Sequence, residues 1–387
     1  MNNEILVLKM QSNNNVVRYM ADEIAKGFVE VGYSVRFLDL ASEDEVGNAW
    51  EVISQPYAFI FDFQGIMYES FYQGEMVMNL QPNIYVSWIL DDVLYHINRV
   101  SNALNPNFHL FFADAMNCRM SKLMFPDIIE PEHMLIGGFL PEGEVRLEDK
   151  DIDILFPAGV DDPQTIAYQL EDMMPIEQWL IESTIQAWKQ HPNMAVRPLF
   201  MKVWEQTGEP LTGELIKELS RSMRYVDSYI RMSARLDILD ALIAGGHTVH
   251  MVGSIPENIK NRYKKGLVSY GPKDMLDVLQ MMRYSKIIMN PLPPVVEEGI
   301  HDRIYTSMLH KGIVYTPWSS YQKEQLDDRV RYIDLRDLDQ MNHHIQSTLE
   351  EYDSLYNRIE ENYQFSLQNH TWQCRGRQLV KRVLRLP

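Results

Sequence analysis

A chain of 387 residues, 45% hydrophobic and 23% charged, has a globular composition and enough length for two or three domains with separate cores. Its net charge of −18 argues against nucleic acid as a general partner, since phosphate contacts need a basic surface, and no apolar run reaches the ~20 residues of a membrane helix. Two cysteines, Cys118 and Cys374, are too few for a disulfide framework or a thiolate zinc site; with a strand-like MNNEILVLKM in place of a signal peptide, the expectation is a cytoplasmic protein.

In chain order, Glu4–Leu8 reads as a strand, and Val16–Val31 has helical spacing through Val17, Met20, Ile24 and Phe28. Gly32 follows where a helix end favours glycine, and Tyr33–Leu38 is strand-like. Ala58–Phe61, Ile84–Trp88 and His109–Phe112 are further short runs of aromatic and β-branched residues. Strands separated by helices predict a parallel sheet with crossover helices. The polar, acidic stretch Pro141–Asp153 reads as an interdomain linker.

A second sheet opens at Asp153–Phe156, and its next strand, His247–Val252, lies far downstream. The residues between are helical and broken by Pro163, Pro175, Pro192, Pro198 and Pro210, which predicts a helical insertion at about 161–220. A long helix, Ser222–Ala244, then carries Arg224, Arg231 and Arg235 near one face. That face either reaches the donor phosphates or the interdomain cleft, or makes salt bridges to Asp227 or Asp237 and neighbouring acids. Leu267–Tyr270, Ser285–Asn290, Ile313–Thr316 and Val330–Ile333 complete the sheet, and 337–387 return to helix. The predicted class is α/β, with two doubly wound Rossmann-like domains facing a central cleft, a helical insertion and a C-terminal helical segment. The domains are expected at 1–145 (acceptor side) and 146–370, followed by a basic amphipathic helix at 371–387 with Arg375, Arg377, Lys381, Arg382 and Arg385. This helix is expected to dock on its own acidic body, with peripheral contact to an anionic membrane as the alternative.

The most informative stretch is 285–317. After the strand and a proline-rich loop comes an acidic-glycine corner, Glu297-Glu298-Gly299, then a helix with Ile300, Ile304 and Met308 on one face, ending near Gly312. Open parallel sheets bind ligands at strand carboxyl ends, and a helix start offers unpaired N–H groups to an anion. His301 and Arg303 add donors, Arg303 with a fork suited to phosphate. The plainer alternative is a βαβ unit whose Glu298 and Asp302 favour the helix dipole.

Motifs over most of the chain resemble the GT-B glycosyltransferases, and more narrowly the bacterial spore-maturation CgeB-like glycosyltransferases. They are VSWILDD (Val86–Asp92), HLFFAD (His109–Asp114), DILFPAG (Asp153–Gly159), Tyr229–Gly253, VSYGPKDML (Val268–Leu276), and SKIIMNPLP with EEGIHDRIYTSMLHKG (Ser285–Gly312). The resemblance implies a nucleotide-sugar donor on the second domain; a protein or glycan acceptor is expected, and the diphosphate is expected to be stabilised without a metal or other cofactor, by the helix start before His301 together with Arg303. It places Gly253 and Ser254 near the nucleotide, Tyr270 and Gly271 beside the base, and Glu298, Gly299 and Arg303 at the sugar diphosphate. Relatives often carry a glutamate three residues after the arginine; here that position is Thr306, whose hydroxyl can still bond ribose or phosphate.

Glycosyl transfer needs a stabilised leaving diphosphate, a positioned acceptor and, for inversion, a general base. Asp91, after the strand Ile84–Trp88, is the first candidate base, and His96 the second. Asp91 and Asp92 also precede a helical segment, Val93–Leu104, where either is a natural N-cap. His109 reads as a strand residue and His343-His344 as a solvated helix face. Asp91-Asp92 and Asp161-Asp162 are unconvincing metal sites. Competing readings are a nucleotide-sugar epimerase or phosphorylase-like protein on the same fold and a non-catalytic sugar- or nucleotide-binding regulator, which Thr306 favours.

Overall fold

The computed structural model describes residues 3–80, 82–167, 173–263 and 265–386. Two six-stranded, wholly parallel sheets are flanked by helices. The first holds β1 (Glu4–Lys9), β2 (Ser34–Asp39), β3 (Phe59–Phe63), β6 (Tyr85–Ile89), β7 (Phe108–Phe112) and β8 (Glu132–His133) in the order β2-β1-β3-β6-β7-β8. A small hairpin, β4 (Phe71–Tyr72) with β5 (Glu75–Met76), stands apart from it. The second holds β9 (Ile152–Phe156), β10 (Val249–Met251), β11 (Leu267–Ser269), β12 (Ser285–Met289), β13 (Ile313–Pro317) and β14 (Arg331–Ile333) in the order β11-β10-β9-β12-β13-β14. The expected fold class is the observed one.

Central strands are apolar because helices cover both faces. Every residue of β3 and β6 is buried, whereas edge strand β2 leaves Ser34 and Phe37 exposed. The helix Val16–Glu30 buries Met20, Ile24 and Phe28 at the spacing of one helical face. Ile24 and Phe28 are fully enclosed, a contribution of about 1.5–3 kcal/mol each. The two-residue strands β4, β5 and β8 have too little periodicity to read from sequence.

Between 161 and 220 lie helices Pro163–Ala167, Pro175–Gln190, Val196–Trp204 and Gly213–Glu218, while residues 168–172 of the expected insertion fall outside the described residues. The following helix runs Ser220–Ala244. The polar stretch 141–153 is strapped to the second sheet rather than solvated throughout. Lys150 Nζ donates to the carbonyls of Arg283 (3.2 Å), Ser285 (2.6 Å) and His310 (2.9 Å), and Val145 is buried.

The C-terminal helix Trp372–Val383 packs along Val16–Glu30 in the first domain. Two glycines permit the close crossing. A Cβ on Gly376 would lie 2.3 Å from the Ile24 carbonyl oxygen, and one on Gly27 would lie 2.2 Å from that of Gln373. The fully buried Trp372 ring meets Phe63, Trp88 and Phe139. Arg375 donates to the Ile136 carbonyl at 3.1 Å, Arg377 pairs with Glu30, and Arg382 donates to the His133 carbonyl at 2.8 Å. The helix's apolar face, which membrane contact would require, is thus covered within the fold, and Lys381 and Arg385 stay exposed. Among the described residues no helix is long and apolar enough to cross a membrane.

Candidate functional site

Strand order reverses between β1 and β3 in the first sheet and between β9 and β12 in the second, and such reversals open crevices at strand carboxyl ends. Both crevices face one cavity of about 970 Å³. The first domain lines it with Met10, Gln11 and Ser12 after β1, Gln64 after β3, Asp91 and Asp92 after β6, and Asp114 after β7. The second contributes Gly159 after β9, Gly253 after β10, and His301, Asp302 and Arg303 at the start of the helix Asp302–Leu309.

On this second side, positive charge gathers. Arg231 and Arg235 from the helix Ser220–Ala244 and Arg303 all line the cavity, with Lys273. Arg231 also pairs with the buried Asp227, so this arginine face both reaches the cavity and carries one of the expected ion pairs. Arg235 Nη1 donates to the Gly159 carbonyl at 2.8 Å, and Arg303 Nη1 to Asn290 Oδ1 at 3.0 Å. Among the described residues neither Arg235 nor Arg303 forms an ion pair, and the Arg235 Nε–H has no partner. Burial lowers the pKa of both. Arg235 falls to about 9, with Arg303 and Arg231 adding to the effect.

The helix start at Asp302–Leu309 is less open than its sequence suggests. His301 is the N-cap, not a residue of the helix: its Nδ1 accepts the Arg303 N–H at 3.2 Å, and its carbonyl accepts that of Ile304 at 3.0 Å. Ile300 therefore lies outside the helix but packs in the same cluster as Ile304 and Met308. An anion here meets guanidinium groups more than free backbone donors. Asp302 is buried beside His301; desolvation raises its pKa, but His301 and Arg303 prevail and hold it below the carboxylate range.

The acidic-glycine corner crosses to the first domain. Asp114 Oδ2 accepts the N–H groups of Glu297 (2.8 Å) and Glu298 (3.1 Å), and Gly299 bridges to Asp114. Glu298 pairs with Arg119, outside the cavity lining, while Gly299 lines the cavity. Glu297 pairs with Arg197, which also binds Asp92 and donates to Asn117 Oδ1 at 3.3 Å. Arg197, only 2% exposed, lies on the insertion helix Val196–Trp204 and so ties three parts of the chain together. Sequence reading missed it, because an arginine in an apolar helix carries no local sign of its partners.

Of the other expected donor residues, Gly253 lines the cavity at φ +145°, where a Cβ would stand 2.4 Å from the Gly159 nitrogen. Ser254, Tyr270 and Gly271 lie outside the lining. Tyr270 OH bonds His250 Nδ1 at 2.8 Å, and the Gly271 carbonyl accepts the Gly253 N–H at 3.0 Å. Thr306 is at the cavity wall but fully buried, and its Oγ1 accepts the Phe139 N–H at 3.2 Å.

Across the cavity the two aspartates divide their roles. Asp92 caps the turn Val93–Tyr95 by accepting the Leu94 N–H at 2.9 Å. Asp91 turns into the cavity with its side chain 64% exposed. The helix expected over 93–104 is interrupted at His96, whose φ of −125° leaves the helical region; a short helix, Ile97–Val100, follows. This break brings His96 Nε2 to 3.7 Å from Asp91 Oδ2. The cleft walls strip solvent from Asp91, which raises its pKa, but His96, Arg231 and Gln64 outweigh this and hold it below the ordinary value. His109 sits in β7 near Glu132, and His343 and His344 are exposed on a helix. Among the described residues, no group of three or more His, Cys, Asp or Glu side chains is placed to hold a metal ion.

No protein-family model matches the chain, and no curated protein matches its sequence. Solved structures match its fold over nearly its whole length. Anabaena HepE in complex with UDP and glucose is similar with a TM-score of 0.53 at 11% identity, covering 99% of this chain and 100% of that one. An alpha-glucosyltransferase in complex with UDP and a 13-mer DNA containing an HMU base has a TM-score of 0.60 at 10% identity, over 99% and 100% of the two chains. Sucrose-phosphate synthase from Thermosynechococcus elongatus has a TM-score of 0.56 at 9% identity, over 100% and 99%. The likeness is one of fold, the two-domain GT-B arrangement.

Proposed function

We propose that the protein is a glycosyltransferase that takes a nucleotide diphosphate-sugar as donor without a metal ion and passes the sugar to a protein or glycan acceptor. The observation that carries this is the pair of partly buried guanidinium groups, Arg235 and Arg303, which form no ion pair among the described residues and face the cavity at the second sheet's reversal point. A diphosphate supplies the counter-charge they lack, and the same groups stabilise the charge that develops on it as it leaves. In this reading Asp91 takes the proton from the acceptor hydroxyl or amide as that group attacks the anomeric carbon and the bond to the diphosphate breaks. His96 is the neighbouring candidate for that role.

The fold neighbours crystallised with UDP or UDP-glucose support a nucleotide-sugar donor. Two of the neighbouring structures, both of an alpha-glucosyltransferase, hold DNA. A net charge of −18 favours a protein or glycan acceptor over a polyanion for this chain. The order and spacing of the motifs from Val86 to Gly312 support the narrower CgeB-like placement. Thr306, buried and bonded to the Phe139 N–H, favours a second reading, a non-catalytic nucleotide-sugar binder.

Thermal unfolding against a panel of nucleotide sugars tests the donor, since a ligand at 100 times its Kd adds ~2.7 kcal/mol. Nucleotide release with acceptor then separates transfer from binding alone. Arg303→Ala is expected to cut turnover far more than stability; wild-type turnover in that variant would remove Arg303 from the mechanism. Donor binding with no release under any acceptor supports the second reading instead.

A further inference from the structure

We propose that Gln64 is a positioning residue for Asp91: it fixes the carboxylate so that one oxygen is held and the other is free to accept a proton from the acceptor. This rests on the reading of Asp91 as the base. Gln64 leaves the carboxyl end of β3 and is 8% exposed at the cavity wall. Its φ of +69° is left-handed, a region that costs a non-glycine residue of order 1 kcal/mol and persists where surrounding contacts enforce it.

Those contacts leave the side chain little choice. The Gln64 N–H donates to the Trp88 carbonyl at 3.0 Å, and the Gln64 carbonyl accepts from Arg99 Nη1 at 2.9 Å. The backbone is thus clamped between β6 and the helix Ile97–Val100. Gln64 Oε1 accepts the Leu90 N–H at 3.2 Å. A backbone N–H can only donate, so this bond fixes which amide atom is the oxygen and turns Nε2 toward Asp91. Nε2 donates to Asp91 Oδ2 at 2.7 Å. Oδ2 therefore lies between the Gln64 amide and His96 Nε2, and among the described residues no hydrogen bond claims Oδ1.

A purely structural glutamine needs neither feature. The Leu90 N–H could be met by water at the cleft, and a glycine at 64, like Gly65 beside it, would relieve the backbone strain. The groups acting on Asp91 are His96 from its own loop, Arg231 from the helix Ser220–Ala244 and Gln64 from β3; Asp92, Tyr95 and Arg99 line the same wall.

The test compares wild type with Gln64→Met, which keeps the shape and removes the donor, and with Gln64→Glu, which keeps the shape and sets a carboxylate against Asp91. Full-length protein is given UDP-glucose and then the remaining donors of the panel, with water as acceptor, and nucleotide release is followed from about pH 5 to 9. Carbon-13 NMR of labelled aspartate follows the Asp91 titration. Both variants are expected to lower kcat about 10- to 100-fold with KM for the donor unchanged. They should also move the acid limb of the rate profile and the Asp91 titration to higher pH, more so for Gln64→Glu. Unchanged kcat and an unmoved titration in a folded variant would overturn the proposal while leaving Asp91 in place. A wild-type protein that releases nucleotide from no donor, either with water or with any acceptor offered, fails the transferase reading, and the positioning role falls with it. Turnover that survives Asp91→Asn also removes the role, because the base is then elsewhere.

Discussion

Replacing Arg235 by methionine should move stability and ligand affinity in opposite directions. In the free protein its guanidinium is partly buried, forms no ion pair among the described residues, and has its pKa lowered well below the ordinary arginine value, to about 9, by burial and then by Arg303 and Arg231 nearby. At about 1.4 kcal/mol per tenfold change in proton affinity, holding this charge in place costs about 4–5 kcal/mol. The bond to the Gly159 carbonyl is charge-assisted, of order 1.5–3 kcal/mol, and is lost in the variant. The difference predicts that Arg235→Met stabilises the free protein by about 1–3 kcal/mol, each kcal/mol raising Tm by roughly 2–4 °C for domains of 150–250 residues. The folded protein holds this proton less tightly than the unfolded chain. The wild-type penalty is therefore fully present below about pH 9 and fades as pH rises toward the ordinary arginine range. On the proposed reading, in which a diphosphate pairs with Arg235, UDP should bind about 10- to 100-fold more weakly to the variant. Thermal unfolding without ligand and calorimetric titration with UDP read the two effects separately. A variant that melts lower than wild type and binds UDP equally well would refute the assignment of Arg235 as an anion site awaiting its anion.

Arg197→Met leaves Asp92 and Glu297 buried without their cation, so a loss of about 3–5 kcal/mol is expected in chemical denaturation. A loss below 1 kcal/mol would show that the network adds little to the contact between domains. Glu297 is pushed up to about 7 by burial, with Arg197 opposing. The folded protein thus binds this proton more tightly than the unfolded chain, and the stabilisation is present below pH ~4.5 and lost as pH rises through about 7. Glu297→Gln should flatten the fall in stability between about pH 5 and 8; an unchanged pH slope would contradict this. Gly376→Ala drives a methyl into the Ile24 carbonyl at the crossing of the first and last helices, and a destabilisation of about 1–3 kcal/mol should appear in Tm. An alanine tolerated at no cost would mean that the crossing is looser than the backbone contact implies.

Much of the architecture was legible because each strand and helix leaves a local period in the sequence. Five strands of the first sheet and all six of the second stand where short apolar runs predicted them, within a few residues. The placement of Asp91 and Arg303 at the cavity followed from the same reasoning, since strand ends in a parallel sheet all open on one side. The finer parts of the site were harder to read. The corner at Glu297 and Glu298 looked like a ligand-facing turn, yet its N–H groups are taken by Asp114, 183 and 184 positions earlier. The helix start after it looked open, yet His301 supplies its own cap.

By itself, the sequence determined two parallel-sheet domains, the line of the cleft and the arginines on one face of a long helix, because these depend on residues a few positions apart. Only the tertiary structure decided which charges meet. Arg197 reaches Asp92 and Glu297 across 105 and 100 positions, and Gln64 reaches Asp91 across 27. A buried charge takes whichever partner the returning chain brings within hydrogen-bond distance, and no periodicity in the sequence records that distance. The same holds for Arg235 and Arg303, which form no ion pair among the described residues because of how the cleft packs.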